Sequence, residues 1–233
     1  MASGLEPAAP SPVTPLPAPG RGEHWWPVAL AIIVVAGLHV ALPAKYRGNP
    51  PWVGPAVLLA LLAALVIGDP GRIDRQKTWL RIITGTLIAF ITVANLFAAA
   101  HLVHDILTSN KLYASNATGL LATGGVIWAT NVIAFGLWYW EFDRGGPVRR
   151  AEGLAPHPDL MFPQMASPEL APPEWEPYFV DYLYMSFTNA TAFSPTDVMP
   201  LARWAKVTMA VQSAVALLVG VLVIARAVNI LTV

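Results

Sequence analysis

The chain has no cysteine, little charge and no excess of either sign. Without Cys there can be no disulfide, thiolate zinc site or cysteine nucleophile, and the redox compartment is left unmarked. Lys plus Arg and Asp plus Glu each number 14, for a formal net charge of +0 at pH 7. That balance argues against a nucleic-acid partner, because phosphate contacts require a basic excess. Charged residues make up only 12% of the 233 positions, against about a quarter in soluble domains. Glycine is missing from Leu154 to Val219. What is present is apolar: 55% of residues are hydrophobic and nine are Trp. The composition is that of a polytopic membrane protein whose first partner is the lipid bilayer.

A hydrocarbon core of ~30 Å takes roughly 20 helical residues. Five segments meet or approach that length, and they set the organisation. Residues 1–24 form a Pro-rich arm expected to be disordered. Residues 25–142 hold four spans: Trp25 to Leu42, Trp52 to Ile67, Trp79 to Leu107 and Gly119 to Phe142. The first two are short. Trp25-Trp26 and Trp138-Tyr139-Trp140 suit the membrane interface. Residues 143–177 carry eight prolines and read as an exposed linker. Residues 178–233 contain a half-length apolar helix, Tyr178 to Phe193, bracketed by Pro177 and Pro195, and a last span from Leu201 to about Ile230. The expected fold class is all-α integral membrane protein, with five transmembrane helices plus one re-entrant half-helix.

A helix too short to cross, a polar irregular stretch and a full span make a re-entrant pattern. Non-helical backbone survives at membrane depth only where protein buries it or water fills a cavity beside it. Thr191, Ser194, Thr196 and Asp197 place hydroxyls and a carboxylate on that stretch, the oxygen ligands from which ion pathways are built. Thr188 and Asn189 lie just before it. These six are the candidate ion-pathway residues. The alternative for 178–193 is a helix lying flat at the interface.

This segment resembles the pore module of tetrameric potassium-type cation channels. The likeness rests on Tyr182, Ser186-Phe187-Thr188, Thr191, Asp197 and Pro200, with Leu201-Ala202-Arg203 leading into the last span, and covers about residues 178–228. The chain is also similar to uncharacterised bacterial multi-span proteins. The channel resemblance implies a homotetramer passing inorganic cations. It departs from the pattern at the filter, where glycines let successive carbonyls point inward. Here Phe193-Ser194-Pro195 stand instead, and Pro195 holds φ near −65°. The expectation is therefore a weakly selective cation channel, or a non-conducting relic of one. It is not potassium-selective, not an enzyme, and needs no cofactor.

Two other classes stay open. His101 and His104 are three apart on one helix face, and His39 falls toward the same leaflet. A membrane haem or metal oxidoreductase would ligate through these three. A non-catalytic scaffold would instead use the Pro-rich segments as docking sites. Thr84, Thr92, Asn95, Thr130 and Asn131 inside the spans are expected to bond helix to helix, and Gly220 to permit close packing.

Ten of the 14 basic residues fall on the side of the arm, loop 68–78 and linker; only Lys45, Arg47, Lys111 and Arg226 fall on the other. The positive-inside rule makes the first side cytoplasmic, whereas the channel resemblance makes it external. A loop entering from the cytoplasm, as in glutamate-receptor channels, reconciles the two. The expected location is a cell membrane, in a bacterium the inner one.

Overall fold

The computed structural model describes residues 22–48, 50–69, 71, 73, 77–108, 116–155, 157–173, 175–191 and 197–231. It is mostly helical: α1 Trp26–Ala41, α2 Val53–Gly68, α3 Thr78–Leu107, α4 Ala117–Phe142, α5 Pro147–Ala151, α6 Pro163–Ala166, α7 Phe179–Thr191 and α8 Arg203–Leu231. Strands β1 Leu160–Met161 and β2 Met199–Pro200 pair antiparallel. Among the described residues, three helices are long and apolar enough to cross a membrane: α3, α4 with the turn that extends it to Gly145, and α8. At 16 residues each, α1 and α2 rise only ~24 Å.

The helices alternate in direction. The His39 ring, late in α1, packs on Gly54 at the start of α2, and Gly68 at the end of α2 meets Trp79 and Leu80 of α3. Trp138 Nε1 of α4 donates to Thr92 Oγ of α3 (2.8 Å). The starts of α1 and α8 and the ends of α2 and α4 therefore share one end of the bundle with the start of α3. We call this the near end, and the opposite one the far end. At the far end Lys45 and Tyr46 donate to the buried Asp105 carboxylate (2.5 and 2.7 Å), tying the α1–α2 turn to α3.

Helix α4 is the axis. Its apolar window is 56% buried, against 33% for α3 and 22% for α8, and it touches α1, α3, α7 and α8. Sequence determines how closely α8 approaches: a Cβ on Gly124 would stand 2.8 Å from both Val223 methyls. Gly220 behaves otherwise than expected. A Cβ there meets nothing within 4 Å, so Gly124 is the close-packing glycine of the α4–α8 pair.

Two expectations about the polar segments are corrected. The 143–177 stretch is not a wholly exposed linker: Asp143, Arg150, Leu160, Phe162 and Pro177 are buried, and Phe162 packs edge-on against Tyr182 (5.3 Å). The arm does not run free to residue 24 either. Glu23 is bonded to three other segments, through Ile73 N–H, Trp140 Nε1 and Phe179 N–H. Residues 1–21 lie outside the described residues. Prolines keep the helices of this segment short, α5 and α6 each starting on one, and they leave apolar side chains free to fold back.

Enlarging Gly124 should drive α4 and α8 apart. Gly124→Leu is expected to lose about 1–3 kcal/mol by overpacking, read as a lower midpoint of denaturant unfolding in micelles. Gly125→Leu, whose Cβ meets open space, should leave the midpoint in place.

Candidate functional site

The site is built around α7. Pro177 precedes it and fixes the backbone that leads in. Two carboxylates meet its opening N–H groups, which have no helical partner of their own. Asp181 Oδ2 accepts from Tyr178 N–H (2.8 Å), and Glu23 Oε1 accepts from Phe179 N–H (2.7 Å). Negative charge at a helix N-terminus is favourable for the macrodipole as well. Burial nevertheless raises the Glu23 pKa above its ordinary value, only partly offset by the bonds from Phe179 and Trp140 and by the Arg150 charge.

The α7 start is welded to the near end through Asp143, which is fully buried. Its Oδ1 accepts from the Asp159 and Leu160 N–H groups (3.0 and 3.2 Å), and its Oδ2 from Tyr182 OH (2.6 Å). Arg150, also buried, donates through Nη1 to the Trp140 and Asp143 carbonyls (2.6 and 2.9 Å). The Trp140 carbonyl lies in the last turn of α4, where carbonyls lack a helical donor, and the Asp143 carbonyl also accepts from Gly146 N–H (3.1 Å). The same guanidinium lies 5.0 Å from the Tyr182 ring centre, a cation–π contact. Arg144 takes the left-handed conformation (φ 53°), held by its N–H bond to Asp159 Oδ2 (2.9 Å).

From there α7 runs antiparallel to α4. Leu183 backs onto Gly136, Ser186 Oγ donates to the Val132 carbonyl (2.6 Å), and Phe187 meets the Trp128 ring edge-on (5.7 Å). Thirteen residues carry the chain ~20 Å inward. By Met199 it is back at the near end: β2 pairs with β1, and Leu201 N–H donates to the Asp159 carbonyl (2.9 Å). Residues 192–196, with the candidates Ser194 and Thr196, lie outside the described residues.

Gln212 of α8 holds α7 in place. It is fully buried at the junction of three helices. Its Oε1 accepts from Tyr139 OH of α4 (2.7 Å) and Asn189 Nδ2 of α7 (2.8 Å). Its Nε2 donates to the Ser186 carbonyl and hydroxyl (2.9 and 2.7 Å). Asn189 also donates to the Met209 carbonyl (3.0 Å), and Ser213 Oγ donates back to the Asn189 carbonyl (3.0 Å). Buried polar groups in such a network are stable only when all are paired. These pairs are complete.

The sequence-predicted residues divide accordingly. Asn189 is a packing bond between α7 and α8. Thr188 and Thr191 spend their hydroxyl protons on their own helix, donating to the carbonyls of Met185 (2.9 Å) and Phe187 (2.8 Å). Their oxygen lone pairs remain able to accept. Asp197 is exposed at the near end, some distance in sequence from the inner end of α7. Gln212, Tyr139, Asp143, Arg150 and Glu23 were not anticipated. A lone Gln in the apolar run of α8 was the available signal, since polar groups inside spans default to functional roles.

The histidines do not form a common site. His39 packs on Gly54, His101 Nδ1 donates to the Phe97 carbonyl (3.0 Å) while its ring stacks on Phe97 (4.0 Å), and His104 is exposed. Among the described residues, no three His, Asp or Glu side chains gather in metal-binding geometry. Of the polar groups expected to bridge helices, Thr92 does so through Trp138. Thr84 and Thr130 bond within their own helices. Asn131 is buried with neither amide atom paired.

No family model, curated protein or solved structure matches the chain.

Two outcomes follow from these bonds. Gln212→Leu orphans partners on α4 and α7 and should cost about 1–3 kcal/mol, measured by unfolding in mixed micelles. Tyr139→Phe combined with Gln212→Leu should cost less than the sum of the single changes, because they share one bond. For Glu23, a raised folded-state pKa means that ionisation weakens the fold. Its contribution is full below the unfolded value of 4.5 and declines as pH rises through the folded value. Melting curves across that window should fall more steeply for the natural protein than for Glu23→Gln.

Proposed function

We propose that the protein is a channel-like membrane protein, cation-permeable with weak selectivity, in which α7 is a re-entrant half-helix. In this reading α1, α2, α3, α4 and α8 cross the bilayer, the short α1 and α2 thinning it locally. The observation that carries the reading is the path of the chain at α7. It leaves the near end, is about 20 Å inside by Thr191, by helical rise, and is again at the near end by Met199. Backbone that turns at such depth must be covered by protein or face water.

A single copy covers only one side of α7. Phe179, Tyr182, Met185 and Ser186 are buried, while Val180, Tyr184 and Phe187 form an exposed apolar stripe. A neighbouring copy supplies the missing cover, and closed rotational symmetry then surrounds a pore with equivalent turns. A homotetramer follows from the channel resemblance. Selection rests on side-chain oxygens and the Asp197 charge, because Pro195 and the lack of Gly from 154 to 219 preclude an inward carbonyl ladder. Such a constriction leaves ions partly hydrated and distinguishes sign of charge better than size. No covalent catalysis is involved. The location is a cell membrane, in a bacterium the inner one.

Purified protein in vesicles should pass potassium and sodium at similar rates and chloride much more slowly. Asp197→Asn should reduce cation flux chiefly at low salt, because the Debye length shrinks from about 10 Å at 0.1 M to about 3 Å at 1 M. Replacing Tyr184 and Phe187 with Ser should break the oligomer measured by native mass. Strong potassium selectivity, a monomer in nanodiscs, or flux indifferent to Asp197→Asn would overturn the proposal.

A further inference from the structure

A second feature lies among α1–α4, away from the α7 turn. A cavity of about 90 Å³ opens at the near end. One water needs roughly 10–15 Å³ of such space, so it seats a short alkyl chain or small ring, with the remainder of a ligand outside. Ile32, Leu62, Leu87, Leu137, Trp25 and Trp140 are among the residues that line it.

Charge around this cavity is arranged unevenly. Among the described residues, the acidic groups that line it, Asp69 and Glu141, are buried at 8% and 6% exposure, Asp69 being engaged elsewhere; the basic ones, Arg81 and Arg149, are exposed to solvent. Glu141 is ion-paired with Arg81, whose Nε lies 3.7 Å from Oε1 and whose side chain is half exposed, and it also feels the charge of the buried Arg150. A buried carboxylate is stable only with close pairing; Arg150 is committed to the Trp140 and Asp143 carbonyls, so the exposed Arg81 is the partner a ligand cation would replace. Trp25 and Trp140 in the lining are of the residue type whose ring attracts cations. The Glu141 carboxylate favours a positive ligand, and the walls favour an apolar tail.

We propose that this cavity is a binding site for amphiphilic cations, namely small ammonium compounds with a short apolar tail. The tail enters among the α1–α4 side chains, and the cationic head displaces Arg81 from Glu141. The site is independent of ion permeation, and its failure would leave the reading of α7 standing.

The test is calorimetric titration of the full chain in lipid nanodiscs, with empty nanodiscs subtracted, using hexyltrimethylammonium, hexanol and hexanoate as probes. Hexyltrimethylammonium should bind saturably, hexanol about tenfold more weakly or worse, and hexanoate not at all, given the charge-assisted contact. Glu141→Gln should weaken the ammonium about tenfold or more for the same reason. Val66→Phe, which intrudes on the cavity wall, should weaken it too. Arg81→Gln removes the competing cation and should tighten binding several-fold, a direction that mere loss of structure does not produce. Should Glu141→Gln fail to fold, the Arg81→Gln result decides. The proposal is overturned by no saturable binding to the natural protein, by hexanoate binding as well as the ammonium, or by Arg81→Gln weakening the ammonium.

Discussion

The buried amide of Gln212 is the interaction on which the α4–α7–α8 arrangement depends. An apolar bundle gives no directional reason for a thirteen-residue helix to sit at one depth rather than another. Hydrogen bonds do, because each has a fixed reach and an unpaired polar group in an apolar setting is costly. Gln212 offers one acceptor and one donor group, and both are used: Tyr139 and Asn189 on the oxygen side, Ser186 on the nitrogen side. Sliding α7 by a turn would break all of these together. Depth and rotation are thereby set at one point.

Asp143 performs the corresponding task at the near end. Its carboxylate gathers the end of α4, the strand β1 and the start of α7, while Arg150 closes the α4 carbonyls and lies against Tyr182. The β1–β2 pairing then returns the chain to this same end. Two buried polar junctions, one at the near end and one deeper in the bundle, hold α7 at both levels. The exposed stripe of Val180, Tyr184 and Phe187 is what remains unsatisfied within a single copy, which is why the functional proposal requires more than one.

The packing between helices was less legible than the helices themselves. Gly124 and Gly220 are alike in sequence context, each a glycine within an apolar helix, yet only Gly124 has a neighbour at contact distance. The difference arises from which face meets α8, which periodicity alone does not specify when nearly every residue is apolar. Similarly, His39, His101 and His104 shared a leaflet on paper, but helix rotation sends them to different neighbours. Thr188 and Asn189 are adjacent in sequence and part company in the fold, one bonding within α7 and the other to α8.

Sequence alone determined the mostly helical, apolar character, the three helices long enough to cross a membrane with their approximate bounds, and the existence of a short helix between Pro177 and Pro195. These depend on length, apolar runs and proline, all local properties. Tertiary structure decided that residues 143–177 fold back, that Glu23 closes α7, and that Gln212 and Asp143 hold the junctions. Each of those rests on a hydrogen bond between residues distant in the chain. A single polar residue announces that it needs a partner; only the folded chain shows which partner comes within reach.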